Sequence, residues 1–471
     1  MDVPEMRRIK RIHFVGIGGA GMCGIAEVLL NQGYEISGSD MVDSAVTKRL
    51  AQLGARVCIG HEARNIEGVD VVVTSSAIGA GNPEVDTAMA RRIPVVRRAE
   101  MLGELMRYRY GIAVAGTHGK TTTTSLIASV LAQAGLDPTF VIGGLLNSAE
   151  SNARLGASRF LVAEADESDA SFLHLQPMVV VLTNVDRDHL AYYEGSFEKL
   201  QRAFLEFIHN LPFYGLLVAC IDDPVVKSLL PQVKRSVLTY GFDSEADIRI
   251  TKLSQSAGRS TIYIQRKDIA GELEIQLALP GRHNALNAVA AVAVATDEGL
   301  PDEDIVSGLA NFGGVGRRFE IHGHFKVGDG DFILVDDYGH HPSEVRATIE
   351  SVRAGWPDSR LLMVYQPHRY TRTLELFDQF VDVLASVDCL VLMDVYSAGE
   401  APINGATGLD LFKAIERRNV DVSFVPNVED VPDHLEEIVS AGDFVLTQGA
   451  GETSKLAHLL RSRWNSRRVT A

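Results

Sequence analysis

Residues 111–124 read GIAVAGTHGKTTTT, and this stretch decides how the surrounding chain folds. An apolar run comes first, a glycine-rich turn follows, and the residues after Lys120 have helical character. In such a strand–turn–helix unit the backbone N–H groups wrap phosphates, whose charge the helix N-terminus favours. Lys120 would neutralise β- and γ-phosphate oxygens, and Thr121 could ligate Mg²⁺. The turn is shorter than the usual phosphate loop, since Gly116 lies three residues before Gly119, and a purely structural turn is the alternative.

Acidic and histidine side chains follow the next apolar runs. Glu164 ends FLVAE and begins an acidic run, and His189 follows MVVVLTNV. Loops at the carboxyl ends of strands converge on the ligand crevice of an open α/β sheet. Glu164 and His189 could therefore join Thr121 in holding Mg²⁺ against a transferring phosphate. Taken singly, an acidic loop is usually solvated and a lone histidine is usually structural.

A second glycine motif, GIGGAG at residues 16–21, comes directly after an apolar run near the start of the chain. Glycines at this place let the backbone approach a diphosphate at the N-terminus of the following helix. Asp40, which ends the next predicted strand, could accept a hydrogen bond from a ribose or a base. The motif alone does not distinguish NAD or FAD from another nucleotide such as a UDP-sugar, or from a tight structural turn.

Apolar runs alternate with helical patterns along most of the chain, which favours doubly wound parallel sheets. The sequence therefore predicts an α/β fold of three domains. These are a Rossmann-like first domain at 1–100, a P-loop-type central ATPase domain at 101–316 and a Rossmann-like C-terminal domain at 317–471. Alternating residues at 247–279 predict antiparallel edge strands, and an alanine-rich helix is expected at about 284–298.

The composition is that of an ordinary globular protein, with 46% hydrophobic and 23% charged residues. A net charge of −16 disfavours nucleic acid or an anionic membrane as the main partner. The four cysteines have neither metal-ligand nor redox spacing, as expected for reduced cytosolic thiols. No apolar run approaches 18 residues, and the run near the start spans only Ile12 to Val15. We therefore expect a cytoplasmic protein without a signal peptide or a membrane span.

Further polar segments follow predicted strands or open predicted helices. Asn284, in GRHNALN, could contact adenine or ribose, or could be a helix N-cap. Arg317 and Arg318 could be carried to the γ-phosphate by a domain movement, or could be a solvated pair. The segments DDYGHHP and QPHRYTR carry histidine and arginine side chains suited to binding a small carboxylate. Zinc at the adjacent His340 and His341 is disfavoured, because neighbours seldom chelate one ion and no cysteine assists.

Taken in order, eight segments resemble the Mur ligase family over residues 13–373. They are HFVGIGGAGM, GTHGKTTT, AEADESDASF, TNVDRDHL, GRHNALNAVAA, GGVGRRFE, DDYGHHPSE and QPHRYTRT. The resemblance implies a ligase of peptidoglycan precursor synthesis that requires ATP and Mg²⁺ and joins L-alanine to the lactyl carboxylate of UDP-N-acetylmuramate through an acyl phosphate. The alternative is a recycling ligase that attaches a whole tripeptide. A folylpolyglutamate synthetase, a dehydrogenase or a non-catalytic nucleotide-binding module would each leave part of the pattern unexplained.

The resemblance also implies a role for individual residues. Those for the UDP-sugar are Gly18, Gly19, Ala20, Gly21, Met22, Asp40, His61, Ser75 and Ser76. Those for ATP are Gly116, Thr117, His118, Gly119, Lys120, Thr121, Thr122, His283, Asn284, Asn287 and Asp337. The implied metal ligands are Thr121, Glu164 and His189, and the residues around the amino acid are Tyr338, His340, His368, Arg369 and Arg372. The implied catalytic residues are Lys120, Arg317 and Arg318, with His340 or His368 as the base for the amine.

The chain departs from the family pattern at two places. Phe204-Leu205-Glu206 occupies the region where several relatives carry a carbamylated lysine, so we predict no such lysine. Ala191 stands where aspartate is expected beside the metal-binding histidine. The implied partners are the substrates alone, without nucleic acid or membrane, and we expect a monomer or weak homodimer.

Overall fold

The structure is a computed structural model that describes Met6 and residues 8–75, 77–147 and 151–469. These residues form three β-sheets flanked by helices. They fall into two compact units, one built around the first two sheets and the other around the third. No helix within the described ranges combines the length and the apolar character that crossing a bilayer requires.

The first sheet consists of five parallel strands. They are β1 Arg11–Val15, β2 Glu35–Asp40, β3 Arg56–Ile59, β4 Val71–Thr74 and β5 Val95–Arg97. The helices between and after them are α1 Ala20–Asn31, α2 Ala45–Gln52, α3 Pro83–Ala90 and α4 Arg98–Met106, with a 3₁₀ turn at Ala63–Ile66. The strand order is β3-β2-β1-β4-β5. The order reverses direction at β1, and such a switch point opens a ligand crevice at the carboxyl ends of the strands.

The second sheet has ten strands with a parallel centre. They are β6 Tyr110–Ala115, β7 Thr139–Leu146, β8 Ser151–Arg154, β9 Phe160–Glu164, β10 Val179–Leu182, β11 Leu216–Cys220, β12 Ser236–Gly241, β13 Ile248–Ser256, β14 Arg259–Arg266 and β15 Glu272–Leu277. The associated helices are α5 Lys120–Gln133, α6 Phe197–His209, α7 Pro224–Leu229, α8 Arg282–Asp297 and α9 Asp302–Ala310, with 3₁₀ turns at Ser171–His174, Leu190–Tyr193 and Leu230–Gln232. The order is β15-β14-β13-β12-β11-β10-β6-β9-β7-β8. The strands predicted at 247–279 thus lie at one edge of the sheet.

The third sheet has six strands. They are β16 Glu320–Val327, β17 Gly330–Asp337, β18 Leu361–Tyr365, β19 Cys389–Leu392, β20 Asp421–Phe424 and β21 Phe444–Gln448. The helices are α10 Pro342–Gly355, α11 Tyr370–Glu375, α12 Phe377–Leu384, α13 Gly408–Glu416, α14 Val431–Ile438 and α15 Thr453–Arg463, with a last 3₁₀ turn at Asn465–Arg467. The order is β16-β17-β21-β18-β19-β20, parallel except for the antiparallel pair β16 and β17. The predicted α/β fold class is confirmed.

Apolar residues on the central strands form the cores. All four residues of β10 are buried, and all five of β18 are buried as well, because helices cover both faces of these sheets. The carboxyl ends of β6, β9 and β10 meet at one edge, since β6 lies between β10 and β9 in parallel register. The loops that follow these three strands carry the polar residues predicted to act on ATP.

Candidate functional site

The phosphate-loop prediction corresponds to the turn between β6 and α5. Gly116 and Gly119 both have positive φ, of 129° and 83°, and Gly119 immediately precedes the first residue of α5. A Cβ atom on Gly116 would lie 2.1 Å from the Oγ1 atom of Thr183. Glycine is therefore required at Gly116 for two reasons, the backbone conformation and the close approach of the next loop.

The loop after β10 holds the phosphate loop in place. The side-chain oxygen of Asn184 accepts a hydrogen bond from the backbone N–H of His118 (2.8 Å), and its amide donates to the His118 carbonyl (2.9 Å). The hydroxyl of Thr183 donates to the same carbonyl (2.7 Å), and the Asp186 N–H donates to the Thr117 hydroxyl (2.9 Å). Sequence reasoning assigned no role to Thr183 or Asn184. These bonds preorganise the turn before any ligand binds.

Lys120 is surrounded by acceptors. Its ammonium donates to the carbonyls of Gly116 (2.6 Å) and Thr117 (3.1 Å) and to both carboxylate oxygens of Glu167 (2.8 and 3.1 Å). Burial disfavours the charged ammonium, but the Glu167 and Asp166 carboxylates outweigh burial and raise the pKa of Lys120. The ammonium is thus charged and poised at the loop, as phosphate binding requires.

Glu167 was not singled out from the sequence. Its carboxyl group is almost completely buried, at 1% side-chain exposure, and burial raises its pKa to about 7 in spite of Lys120. The hydroxyl of Tyr193 donates to the Glu167 carbonyl (2.5 Å), which anchors the acidic loop to the turn after β10. The signal that could have indicated Glu167 is its position three residues after Glu164 in the acidic run.

The predicted metal ligands follow three adjacent strands. Thr121 is buried in the first turn of α5, Glu164 ends β9, and His189 lies in the loop after β10 with a left-handed φ of 56°. One oxygen of Glu164 accepts a hydrogen bond from the N–H of Gly143 (2.6 Å). A hydroxyl and a carboxylate are oxygen ligands of the kind that Mg²⁺ prefers, whereas an imidazole is a ligand more typical of transition metals. Thr121 and Glu164 therefore fit a magnesium ion by their chemistry, and His189 follows the neighbouring strand without that chemical preference.

The residues predicted near the nucleoside lie at the start of α8. Asn287 accepts a hydrogen bond from the hydroxyl of Thr123 (3.1 Å), and a Cβ on Gly119 would lie 2.6 Å from its side-chain oxygen. Asn287 therefore packs directly against the phosphate loop. Asn284 lies inside the first turn, which begins at Arg282, and its amide donates to the Pro280 carbonyl (2.7 Å). The N-cap interpretation of Asn284 is wrong, because the helix starts two residues earlier.

The glycine motif of the first sheet packs against Asp40. One carboxylate oxygen of Asp40 accepts a hydrogen bond from the Gly18 N–H (2.9 Å), and the other accepts one from the Val42 N–H (3.1 Å). A Cβ on Gly18 would lie 2.9 Å from the first oxygen. Gly19 is the last residue before α1, which starts at Ala20, and Met22 is buried in that helix. The motif therefore brings backbone N–H groups to the N-terminus of α1.

His61 and Ser75 lie in loops after β3 and β4, respectively, and Ser76 lies outside the described residues. The Nδ1 atom of His61 lies 2.8 Å from the Ser39 hydroxyl and 3.3 Å from a carboxylate oxygen of Glu84. Glu84 is fully buried in α3, and its other oxygen accepts from the Asn65 amide (2.6 Å). Burial opposes the charge of Glu84, but the His13 imidazole 3.6 Å away and hydrogen bonds from Ser39 and Asn65 outweigh burial and lower the pKa of Glu84 to about 2.

Replacing Glu84 by glutamine should therefore destabilise the first sheet in a pH-dependent way. The folded-state pKa of about 2 lies below the ordinary value of 4.5, so the carboxylate stabilises the fold above pH 4.5 and loses this effect as the pH falls towards 2. The difference corresponds to about 3 kcal/mol at neutral pH. Urea unfolding of wild type and Glu84→Gln at pH 7 and at pH 4 measures this difference in the free energy of unfolding. The difference should be smaller at pH 4. Glu62→Gln, which changes a more exposed side chain, is the control. A difference in unfolding free energy that does not depend on pH would contradict the lowered pKa of Glu84.

A cleft of about 350 Å³ lies between loops of the first and second sheets. Its lining includes Ser75, Arg97, Arg98, Asp169, Ser171 and Tyr192. The Arg98 guanidinium lies 3.7 Å from a carboxylate oxygen of Asp166, in the acidic loop that also carries Glu167. A Cβ on Gly21 would lie 2.9 Å from Arg98 Cδ, so Arg98 also packs against the first turn of α1. Sequence reasoning did not single out Arg98, which lies beside the first turn of α1 and beside the acidic loop.

In the second compact unit, Asp337 and Arg317 are held by internal bonds. The Asp337 carboxylate is buried and accepts from the N–H groups of Phe319 and Gly339 (2.9 Å each) and from the Gln448 amide (2.8 Å). The Arg317 guanidinium donates to Asp336 (2.8 Å), to the Gly449 carbonyl (2.6 Å) and to the Thr453 hydroxyl (2.7 Å). These bonds argue against delivery of Arg317 to a phosphate, because its movement would break all of them.

The residues predicted around the amino acid form one cluster in this unit. The rings of Tyr338 and His340 pack edge to face at 5.3 Å, His340 and His368 are 5.7 Å apart, and His368 stacks on Tyr396 at 5.5 Å. Arg372, which is buried, places a guanidinium nitrogen 3.5 Å from His368 Nδ1. Burial, followed by the charges of Arg372 and Arg369, lowers the pKa of His368 to about 4.

Comparison with known proteins gives three family matches in chain order. "Mur ligase family, catalytic domain" matches residues 11–110, "Mur ligase middle domain" matches 114–295, and "Mur ligase, glutamate ligase domain" matches 317–451. Together these matches cover most of the chain and correspond to a first, a central and a C-terminal domain.

Solved structures are similar over nearly the full length. The UDP-N-acetylmuramate–alanine ligase of Thermotoga maritima is 27% identical with a TM-score of 0.82, covering 97% of this chain and 99% of that chain. A murein peptide ligase of Psychrobacter arcticus, 22% identical with a TM-score of 0.70 over 98% of this chain and 100% of that one, shares the fold. The tripeptide-adding ligase of Neisseria meningitides is 29% identical with a TM-score of 0.60, covering 66% of this chain and 100% of that one. The chain belongs to the Mur ligase family and is one of its three-domain α/β enzymes.

Proposed function

We propose that this Mur ligase uses ATP to join L-alanine to the lactyl carboxylate of UDP-N-acetylmuramate, in the cytoplasmic synthesis of peptidoglycan precursors. The use of ATP is supported by one observation: the charged Lys120 ammonium is held at a preformed glycine turn. Likeness to the alanine-adding ligase of Thermotoga maritima across 97% of the chain supports the choice of substrates.

The chemistry follows from the poor reactivity of a carboxylate towards an amine. Transfer of the γ-phosphoryl group of ATP to the carboxylate oxygen gives an acyl phosphate and ADP. The alanine nitrogen then attacks the acyl carbon, inorganic phosphate leaves, and the amine proton passes to a base. Lys120 and the N–H groups at the start of α5 neutralise the anionic phosphates that must approach one another. A bound Mg²⁺, held by Thr121, Glu164 and His189, would add positive charge at the phosphate oxygens.

Two histidines are candidates for the base that takes the amine proton. A pKa of about 4 keeps His368 neutral at pH 7 but makes it a weak base. His340 is differently placed, because its Nδ1 lies 3.6 Å from the Glu344 carboxylate and 3.3 Å from the Tyr338 carbonyl. A carboxylate at that position stabilises the imidazolium that forms when a histidine accepts a proton. We therefore assign the base role to His340.

A phosphate-release assay tests the function directly. Purified protein is given ATP, Mg²⁺ and UDP-N-acetylmuramate, with L-alanine, glycine, L-serine or the murein tripeptide as acceptor. We expect release with L-alanine that requires all four components. Preference for the tripeptide would favour the recycling ligase, which the likeness to the Neisseria enzyme makes the second candidate. No release with any acceptor would refute both.

Arg98 is assigned to the anionic part of the nucleotide sugar, since it lies between the N-terminus of α1 and the acidic loop. Arg98→Ala should raise the KM for UDP-N-acetylmuramate by about tenfold to a hundredfold, the range for one lost charge-assisted contact. The KM for ATP should change little. Arg107→Ala is the matched control, because Arg107 follows the same helix and pairs with Glu104 at the surface. An unchanged KM for the nucleotide sugar would remove Arg98 from the site.

A further inference from the structure

A buried ion pair lies at the phosphate loop. The ammonium of Lys120 has three N–H donors. It bonds to the carbonyls of Gly116 (2.6 Å) and Thr117 (3.1 Å), and it also bonds to the two carboxylate oxygens of Glu167 (2.8 and 3.1 Å). Every donor of this ammonium is therefore in use. Lys120 can bond to a phosphate oxygen only if one of these acceptors gives way, and Glu167 is the acceptor that carries a competing negative charge.

The acidic loop holds the Glu167 carboxylate in place. The backbone carbonyl of Glu167 accepts hydrogen bonds from the Tyr193 hydroxyl (2.5 Å) and from the Ala170 N–H (3.1 Å). These bonds fix the backbone of Glu167 beside the first turn of α5. Because the side chain is only 1% exposed, water does not solvate its charge there. The charge of this carboxylate depends on its protein neighbours.

Several elements contribute charged or titratable groups around this pair. They are Lys120 of α5, Glu164 at the end of β9, Asp166 and Asp169 of the acidic loop, Tyr193 of the turn after β10 and Arg98 of α4. Burial raises the pKa of Glu167, Lys120 lowers it, and the like charge of Asp166 raises it again, to about 7. Tyr193 stays neutral, because burial and the charge of Glu167 raise the pKa of its hydroxyl. Lys120 is thus the neighbour in contact with Glu167 that favours its ionised form.

We propose that Glu167 is a positioning residue that holds Lys120 on the loop carbonyls and takes up one proton when Lys120 turns to the phosphates of ATP. The inference rests on the proposed function and extends it to the protonation of the site. Approaching phosphates bring negative charge to Glu167 and draw away the ammonium that stabilised it, and both changes favour the neutral acid. The proton comes from solvent and adds to a carboxylate oxygen. The resulting O–H group is a donor, which suits a place beside phosphate oxygens.

Calorimetric titration of the full-length protein with ATP in the presence of Mg²⁺ measures this proton, when it is repeated in buffers of different ionisation enthalpy. At pH 8 the γ-phosphate is already ionised, so a proton that is taken up goes to the protein. Because the pKa of Glu167 is about 7, we expect uptake of most of one proton at pH 8 and of about a tenth of one at pH 6. Binding of ATP without proton uptake at pH 8 would overturn the proposal.

Substitutions at Glu167 test whether this carboxyl is the group that takes up the proton. Glu167→Gln cannot ionise, so it should take up no proton, and its neutral amide resembles the protonated acid. Its dissociation constant for ATP should match that of wild type at pH 6 and be about tenfold lower at pH 8, where the wild-type carboxyl is mostly ionised. Glu167→Asp keeps an ionisable group and should retain the uptake at pH 8.

Glu194→Gln is the matched control. Glu194 also pairs with a lysine, Lys199, but its side chain is 78% exposed. The same change from glutamate to glutamine at this surface pair should leave both the proton uptake and the affinity for ATP at their wild-type values.

The outcomes separate this inference from the function on which it rests. If Glu167→Gln changes the affinity for ATP by the same factor at pH 6 and pH 8, Glu167 only supports the loop and the proton coupling is refuted. Uptake that persists in Glu167→Gln refutes the coupling as well, and the ATP site stands in both cases. If Glu167→Gln is too unstable to purify, the uptake by wild type and by Glu167→Asp still decides. If wild type binds no ATP, the proposed function fails and this inference fails with it.

Discussion

Lys120→Ala should lower the rate of phosphate release by about a thousandfold or more while the protein stays folded. The ammonium of Lys120 is the cation that bonds to the phosphate-loop carbonyls, and no neutral side chain can compensate the charge of a transferring phosphoryl group. The fold should survive, because burial already raises the pKa of Glu167 to about 7, and without Lys120 its carboxyl becomes protonated at neutral pH. Steady-state phosphate release and thermal melting of the same preparations measure both effects.

The matched control is Lys227→Ala. The ammonium of Lys227, like that of Lys120, bonds to two carboxylate oxygens, but these belong to Asp243 and Glu245 at the surface. Its turnover should equal that of wild type, since exposed ion pairs contribute little. A Lys120→Ala enzyme that keeps more than about a tenth of the wild-type rate would refute the assigned phosphate site.

Gly116→Ala should abolish ATP binding and lower the free energy of unfolding by about 3 kcal/mol or more. Two costs combine at this residue. Its φ of 129° is strained for any side chain, and the added Cβ would lie 2.1 Å from Thr183 Oγ1 and 2.9 Å from the Asn184 carbonyl oxygen. The loop must move to relieve the overlap, which breaks the bonds that Thr183 and Asn184 make to His118. Calorimetric titration with ATP tests the loss of binding, and thermal unfolding tests the loss of stability.

Gly135→Ala separates backbone strain from steric overlap. Gly135 follows α5, has a φ of 74°, and a Cβ there would meet nothing within 4 Å. This variant should cost only about 1 kcal/mol and should bind ATP normally. Equal effects of the two substitutions would mean that the contact between Gly116 and Thr183 does not matter for the site.

Much of the fold could be predicted because its signals are local. Apolar runs such as FLVAE and MVVVLTNV became β9 and β10, and the alanine-rich pattern became α8 within two residues of its expected start. The strands that were missed have weak local signals. β7 contains two glycines and β8 reads SNAR, while β12 and β16 carry many polar residues, so each depends on its sheet neighbours.

The residue roles implied by the resemblance stay predictions. The observed hydrogen bonds nevertheless support some of these roles and oppose others. The Arg317 guanidinium donates to Asp336, to the Gly449 carbonyl and to the Thr453 hydroxyl, so its predicted movement to a phosphate would break three hydrogen bonds. Glu167, Asn184 and Arg98 enter the site although no role was predicted for them from the sequence. Each acts through a partner far along the chain, as Glu167 does through Lys120, 47 residues earlier. A pattern search along the sequence has no means of pairing them.

The sequence by itself determined the α/β class, the two glycine turns and the lysine that serves one of them, because strand, turn and helix N-terminus are set by neighbouring residues. Only the tertiary structure decided what surrounds those turns. Parallel pairing of β6 with β9 and β10 brings an acidic loop to Lys120, and the packing of α3 against the first sheet buries Glu84 beside His61. The charge of a lysine and the pKa of a buried glutamate depend on such neighbours, since both respond to groups within a few ångströms in space and not to distance along the chain.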